Sequence, residues 1–518
     1  MMQRKRALGA AVSAVVMASA VLAGCGSGSG SADKNQQAAG NAAGGAPTKK
    51  GPIKLEMMLS TTSKLPEEDY IKKTFDQKFN TDIQLTVIPA VEEFNNRLNV
   101  RLASGDYPDI MVLSDRNQVQ QYASKGLLLD LTPYKAKMQE ISKFIGEDNV
   151  NAGMIGGKLF AISKKGGMPQ SNYWIRKDWL DQLKLPVPTT TEELLAVAKA
   201  FTEQDPDGNG KKDTFGLTGS KLNTFLPLFG AFGVGLPTGQ LDPVAKGSLY
   251  VKGGALVDSF HDAGMKEALT YVKKFLDAGV VDPDVFANTS NQHDKKAFQG
   301  KAGIIYTDFP RFTNEPQMKE WKDVNPKAEW IQLAPPKGQA QYAGAWDVSK
   351  PAFGMLAFPK VIEKDIDKLD KILEILNYTS TKEGSELVAF GEKGRHYNLE
   401  GNKFITTPLR AKEMFWPYQL TGRDEMQYLI NVGYPEAEVK KSNETPRLKA
   451  LNGYVILPDG YASTDAERYI EEELAKFIYG KRPIDEYDAF LKTLDTTFKY
   501  KVYLDSAAKQ LGELGLVK

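Results

Sequence analysis

Leu102-Ala103-Ser104-Gly105-Asp106-Tyr107-Pro108-Asp109-Ile110-Met111-Val112-Leu113-Ser114-Asp115-Arg116 is the stretch on which the fold turns. Asp109 to Leu113 is a short apolar run, fit for a buried parallel strand. Just before it, Asn95 to Ala103 sets Leu98, Leu102 and Ala103 on one helical face. Further out, Ile53 to Leu59 reads as an opening strand, Glu67 to Phe79 as a helix and Ile83 to Ile88 as a second strand. Strand, helix, strand, helix, strand predicts an α/β domain with helices covering the sheet. Asp115-Arg116 then falls just past a strand, at the carboxyl end where open α/β sheets bind ligands.

Helical periodicity recurs over Glu192 to Thr202 and Met265 to Ala278, and Ala302 to Tyr306 returns to strand. Ile366 to Ser380 is strongly amphipathic, with Leu369, Ile372, Leu373 and Leu376 on one side. Two more helices are expected near Asp465 to Tyr479 and Ile484 to Tyr503. At about 150 residues per domain, the length of 518 implies two to four domains. An apolar fraction of 42% and a charged fraction of 25% argue against disorder over most of the chain. The net charge of +1 argues against a dedicated nucleic-acid binder. No apolar run of membrane-spanning length follows the first two dozen residues, so a polytopic membrane protein is also disfavoured.

Arg4, Lys5 and Arg6 precede an uncharged stretch of small and apolar residues from Ala7 to Ala23, followed by Gly24 and Cys25. A basic start, an apolar middle and a small-residue cleavage site describe an export signal. Leu22-Ala23-Gly24-Cys25 resembles the bacterial lipobox, and Cys25 is the one cysteine in the chain. Residues 1–24 are therefore expected to be a lipoprotein signal peptide, with Cys25 acylated. Two or more acyl chains, at about 0.8 kcal/mol per buried methylene, hold a protein firmly on a membrane. Residues 25–52, rich in Gly, Ala, Ser, Asn and Gln, read as a flexible tether.

Beyond the tether the order of segments resembles the extracellular solute-binding proteins of bacterial ABC sugar importers, the group that includes maltose-binding protein. The resemblance runs through Leu102 to Ile110, Asp115-Arg116, Tyr122 to Leu128, Asp130 to Pro133, Gly157 to Ile162, Ile175 to Leu180, Gly300 to Gly303 and Thr381 to Gly384. It implies an α/β, two-lobed periplasmic-binding-protein-like fold with a hinge and an interlobe ligand cleft. It places the first lobe at 53–162 plus 337–380 and the second at 163–336 plus 381–518. The implied protein is not an enzyme. It is a monomer on the outer face of the cell membrane, and its partners are an oligosaccharide and the permease subunits of an ABC transporter. A secreted polysaccharide-degrading enzyme and a surface sensor or adhesin are the alternatives.

A sugar site needs planar polar groups for hydroxyls and flat apolar faces for C–H surfaces. The Asp115-Arg116 pair matches one that contacts sugar hydroxyls in maltose-binding protein. The loop Tyr306-Thr307-Asp308-Phe309-Pro310-Arg311 corresponds to a cleft-lining loop of the family but lacks its Trp, leaving Tyr306, Asp308, Phe309 or Arg311 to substitute. Of six tryptophans, Trp174, Trp346 beside Asp347, and Trp416 are the platform candidates, and Trp179, Trp321 and Trp330 read as helix or core positions. Arg176 is a candidate for a hydroxyl or carboxylate. Three arginines near the presumed cleft (Arg116, Arg176, Arg311) would tolerate uronic acids, while neutral xylo-, arabino- or manno-oligomers stay open.

Asp205-Pro206-Asp207-Gly208-Asn209-Gly210-Lys211-Lys212-Asp213 has the spacing of an EF-hand calcium loop. Side-chain oxygens fall at positions one, three, five and nine, glycine at six, and Lys211 offers its carbonyl at seven. Position twelve is Gly216 rather than Glu. A structural Ca2+, held by Asp205, Asp207, Asn209, Lys211 and Asp213 and remote from the ligand, is expected. An Asp-Gly/Asn-Gly turn without metal is the competing reading. The three histidines, His261, His293 and His396, are dispersed and show no metal spacing. The Gly-rich run from Gly230 to Gly239 lacks the Lys-Ser/Thr of a phosphate loop.

Overall fold

The computed structural model describes residues 51–238, 244–289, 291–350 and 354–517. The expected signal peptide, Cys25 and nearly all of the expected tether lie outside the described residues. Two sheets organise the rest. The strands that concern the site are β1 (Ile53–Ser60), β2 (Thr81–Ile88), β3 (Ile110–Leu113), β4 (Ala161–Ser163), β5 (Ser171–Arg176), β6 (Phe215–Thr218), β7 (Ala302–Asp308), β8 (Trp330–Gln332), β9 (Ala345–Asp347), β10 (Met355–Ala357) and β11 (Leu448–Ala450).

The first sheet runs β2-β1-β3-β10-β4. β1 lies parallel to β2 over eight residue pairs, Ile53 opposite Thr81 through Ser60 opposite Ile88, and parallel to β3 on its other side. β10 returns antiparallel between β3 and β4, with Met355 opposite both Leu113 and Ser163. Met57, Met58 and Leu59 are all buried, as suits a strand covered on both faces. The covering helices start and stop where local chemistry dictates. Asp69 accepts from the Lys72 amide to begin Tyr70–Phe79, and Asp115 caps Arg116–Ser124 in the same way. Val91–Ser104 ends at Gly105, whose φ of 79° belongs to the left-handed region that glycine tolerates. Ile366–Ser380 forms as read from its apolar stripe, burying Leu369, Ile372, Leu373 and Leu376.

The second sheet runs β8-β5-β7-β6, with β5 antiparallel to both neighbours and β6 parallel to β7. All six residues of β5 are buried. The chain passes from first to second sheet through Lys164–Gln170 and returns at β10. Beside the first passage the Lys165 amide donates to the Thr421 carbonyl at 2.9 Å, so a later segment runs alongside it.

One helix differs from the sequence expectation, and two later segments fix how the sheets are flanked. The helix expected over Ile484 to Tyr503 is two, Tyr487–Thr497 and Tyr500–Glu513, because Lys499 adopts a left-handed φ of 57° between them. The stretch from Ala340 to Asp347 follows the second sheet's β8 in the chain. It hydrogen-bonds to Ala231, Gly230, Leu236 and Pro446, and β9 pairs parallel with β11. Val388, Phe415, Tyr418 and Leu420 come from later in the chain. They pack with Leu55, Phe75 and Leu376 in the first core, and the Tyr418 hydroxyl donates to Asp69 at 3.2 Å. Thr381 explains the continuity: it caps Lys382–Phe390 directly after Ile366–Ser380, so the chain stays on the first core.

Candidate functional site

The carboxyl ends of β1, β3 and β4 share one edge of the first sheet. Ser60, Leu113 and Ser163 end these strands, and Met355 pairs with both Leu113 and Ser163. Ser114 and Asp115 follow β3 there and open into a polar basin of about 480 Å³. Its walls are amides. Asn95 and Asn99 come from Val91–Ser104, and Gln118 and Gln121 from Arg116–Ser124. Gln118 donates to Asn95 at 2.7 Å and accepts from the Ser114 amide at 2.9 Å, and Tyr122 donates to Asn99 at 3.0 Å. Sequence reasoning missed this row. Its signal was the i, i+4 spacing of Asn95 and Asn99 beside a buried Leu98.

Asp115 and Arg116 part company at this edge. Asp115 is exposed in the basin wall and spends one oxygen on the helix cap. Arg116 is only 6% exposed and turns inward, donating to the carbonyls of Asn151 at 3.2 Å and Ala152 at 2.7 Å. Burial lowers the Arg116 pKa to about 10. Its role in the folded chain is to hold the end of Glu147–Ala152, so it does not present a free guanidinium to a ligand.

The tryptophans separate as sharply. Trp416 is 44% exposed and donates its indole N–H to the Ser63 hydroxyl, just past β1, at 2.7 Å. Trp346 is half-buried in β9, and Asp347 beside it accepts from the amides of Ser349 and Gly453. Trp174, expected as a platform, is a core residue: it is 2% exposed and packs on Phe312 at 4.9 Å between ring centres. Arg176 is likewise buried at the far end of β5, paired bidentately with Asp178 at 2.8 and 2.6 Å and 4.5 Å over the Trp179 ring. Trp179, Trp321 and Trp330 are buried, as read from the sequence.

The loop after β7 is also packed inward. Tyr306 is buried against Tyr173, and burial pushes its phenol well above the usual range. Phe309 is fully buried edge-on to Tyr434. Asp308 accepts from the Ser171 hydroxyl, and burial pushes its carboxyl up. Arg311 pairs with the buried Asp294 at 3.0 Å and donates to Asn291 at 3.0 Å. This edge of the second sheet therefore presents buried rings and the Arg311–Asp294 ion pair rather than an exposed aromatic platform.

Lys164, which the sequence did not single out, is the first residue after β4. It is 4% exposed, its amide donates to the Gly354 carbonyl at 3.3 Å, and no acid among the described residues pairs with its ammonium. Burial alone lowers its pKa to about 8.

In the Asp205–Asp213 loop, Asp205 accepts from the amides of Asn209 and Gly210, and Asn209 donates to Asp207 and Asp213. Asp207 is pushed up by burial and by the neighbouring carboxylates of Asp205 and Asp213, while Lys301 sits on Asp213 at 2.6 Å. Among the described residues no three acidic, histidine or cysteine groups are gathered as a metal sphere. The oxygen set nonetheless fits a hard cation: crowded carboxylates repel one another, and Lys301 already supplies one compensating charge. Position twelve cannot contribute. Gly216 lies in β6 with its α-carbon face against the helix Thr191–Glu203, where a Cβ would sit 2.4 Å from the Ala198 carbonyl oxygen.

A family model described as bacterial extracellular solute-binding protein matches residues 71–352, more than half of the chain. The chain belongs to this family. The chain is similar to the polygalacturonan/rhamnogalacturonan-binding protein YtcQ of Bacillus subtilis (strain 168). YtcQ is 29% identical over 460 residues, covering 87% of this chain and 85% of its own. The lipoprotein LipO of the same organism is 26% identical, covering 78% of this chain and 77% of its own. Among solved structures, an extracellular solute-binding protein from Bifidobacterium longum subsp. infantis superposes with a TM-score of 0.68 at 18% identity, covering 90% of this chain and 99% of that one. The fold is the two-lobed, periplasmic-binding-protein-like one.

Proposed function

We propose that this solute-binding protein captures an oligosaccharide between its lobes and delivers it to the permease of an ABC importer. The observation that carries this reading is the carboxyl edge of the first sheet. There an exposed indole, Trp416, and an amide-lined basin offer a flat face for sugar C–H groups and planar partners for hydroxyls. The name of YtcQ, a relative over most of the chain, supports a carbohydrate. Binding needs no covalent step: the basin orients hydroxyls, the indole excludes water from one ring face, and closure of the lobes completes the enclosure. A lipid on Cys25 would hold the protein at the outer face of the membrane, and the name of the relative LipO supports that anchor. Asp205, Asp207, Asn209, Asp213 and the Lys211 carbonyl would hold a structural Ca2+, a charge that relieves the carboxylate crowding.

A thermal-shift and calorimetric screen of neutral and uronate oligosaccharides tests the proposal. A bound sugar at a hundred times its Kd adds about 2.7 kcal/mol and raises Tm. A response to peptides or polyamines with silence toward every sugar would sink it.

A further inference from the structure

A second recess, of about 500 Å³, lies away from the amide basin. One side is the hairpin of Tyr397–Glu400 and Lys403–Thr406 with the helix Pro408–Glu413, and the other is the second sheet's edge at Gln170 and Pro310. Two arginines line it, and they differ in charge balance. Arg423 is chelated by Glu425 at 2.5 and 2.9 Å and lies 3.7 Å over the Tyr428 ring. Arg410 gives Nη2 to the Ala389 carbonyl at 2.7 Å and stacks 5.8 Å over Phe390, but no carboxylate among the described residues pairs with it. The side-chain amide of Gln170 has no partner among the described residues. Phe404, Leu429 and Val432 supply an apolar wall.

We propose that this recess is a subsite for an acidic sugar, in which Arg410 pairs with the carboxylate of a uronate residue and Gln170 bonds its hydroxyls. The inference rests on the oligosaccharide reading above and names its class. A guanidinium fork matches a carboxylate in geometry as well as charge. Neutral sugars would leave the Arg410 charge without a carboxylate partner in the recess. The volume falls within the range of ordinary small-molecule pockets. Arg423, already neutralised, would act as the stacked wall rather than the anion anchor.

Calorimetry at 0.15 M salt with an oligogalacturonate and a neutral oligogalactoside of equal length tests the proposal on the wild-type chain and two variants. Arg410→Gln is expected to weaken the acidic oligomer at least tenfold and leave any neutral binding unchanged. Gln170→Glu places a carboxylate in the same recess without removing an internal hydrogen bond, and is expected to act in the same direction by repulsion. It decides the matter if Arg410→Gln fails to fold. Wild-type affinity for the acidic oligomer in both folded variants, or equal loss of both oligomers, would overturn the subsite. A wild type that binds only neutral sugars would overturn it too. A wild type that binds neither oligomer but responds to another sugar would overturn the subsite and leave the oligosaccharide reading standing, whereas silence toward every sugar would overturn that reading itself, a distinguishable result.

Discussion

The Trp416 indole is tied to the Ser63 hydroxyl at 2.7 Å, so a side chain from a late segment stands fixed at the carboxyl edge of β1. A half-exposed indole in a fixed orientation is an inexpensive platform, since little side-chain freedom remains to be lost on binding. Trp416→Ala is expected to weaken oligosaccharide binding about tenfold, consistent with roughly 0.5–1.5 kcal/mol for an aromatic contact beyond its buried area. Tm should change by only a few degrees, because the ring is not part of the core. Calorimetry beside a melting curve checks both halves; unchanged affinity would remove Trp416 from the site.

Trp174 makes the opposite prediction. Its ring lies in the core of Phe312, Trp330 and Ile305. Trp174→Ala is expected to destabilise the chain by about 3–5 kcal/mol, the range for a buried aromatic truncation. Denaturant unfolding reads this directly, and the surviving folded fraction should keep the wild-type sugar affinity.

That contrast shows where sequence reasoning reached and where it stopped. The stripe of Leu369, Ile372, Leu373 and Leu376 announces its helix because the spacing is local, and the helix Ile366–Ser380 follows it. The alternation of strands and helices from Ile53 to Leu113 was legible for the same reason. Trp174 and Trp416 are the same residue type, each preceded by an aromatic residue, Tyr173 and Phe415. Only contacts made from Phe312, Trp330 and Ser63, far along the chain, decide which ring is buried. Arg116 and Arg176 depend on distance in the same way: their partners, the Asn151 and Ala152 carbonyls in one case and the carboxylate of Asp178 with the rings of Trp179 and Trp330 in the other, are set by the fold.

Calcium is expected to raise Tm and a chelator to lower it. An ion at a hundred times its Kd contributes about 2.7 kcal/mol. Asp205→Ala removes an oxygen donor of the set and should abolish the calcium dependence while leaving sugar affinity, measured without metal, intact. Identical melting curves with calcium and with chelator would restrict the loop to its Asx turns.

Lys164 carries a charge that nothing in the described chain neutralises, and this gives stability a definite pH dependence. Its ordinary pKa of 10.5 falls to about 8 in the folded chain, so between these values the unfolded chain binds more protons. Stability should therefore rise with pH across that window. Below about pH 8 both states hold the proton and the penalty is full, on the order of 3 kcal/mol. Lys164→Met keeps most of the volume and removes the charge. It is expected to stabilise the chain by about 1–3 kcal/mol at pH 7, with the gain fading between pH 8 and 10.5. Denaturant midpoints of both proteins across that range check the sign. A destabilised Lys164→Met at pH 7 would mean that the ammonium is compensated within the fold after all.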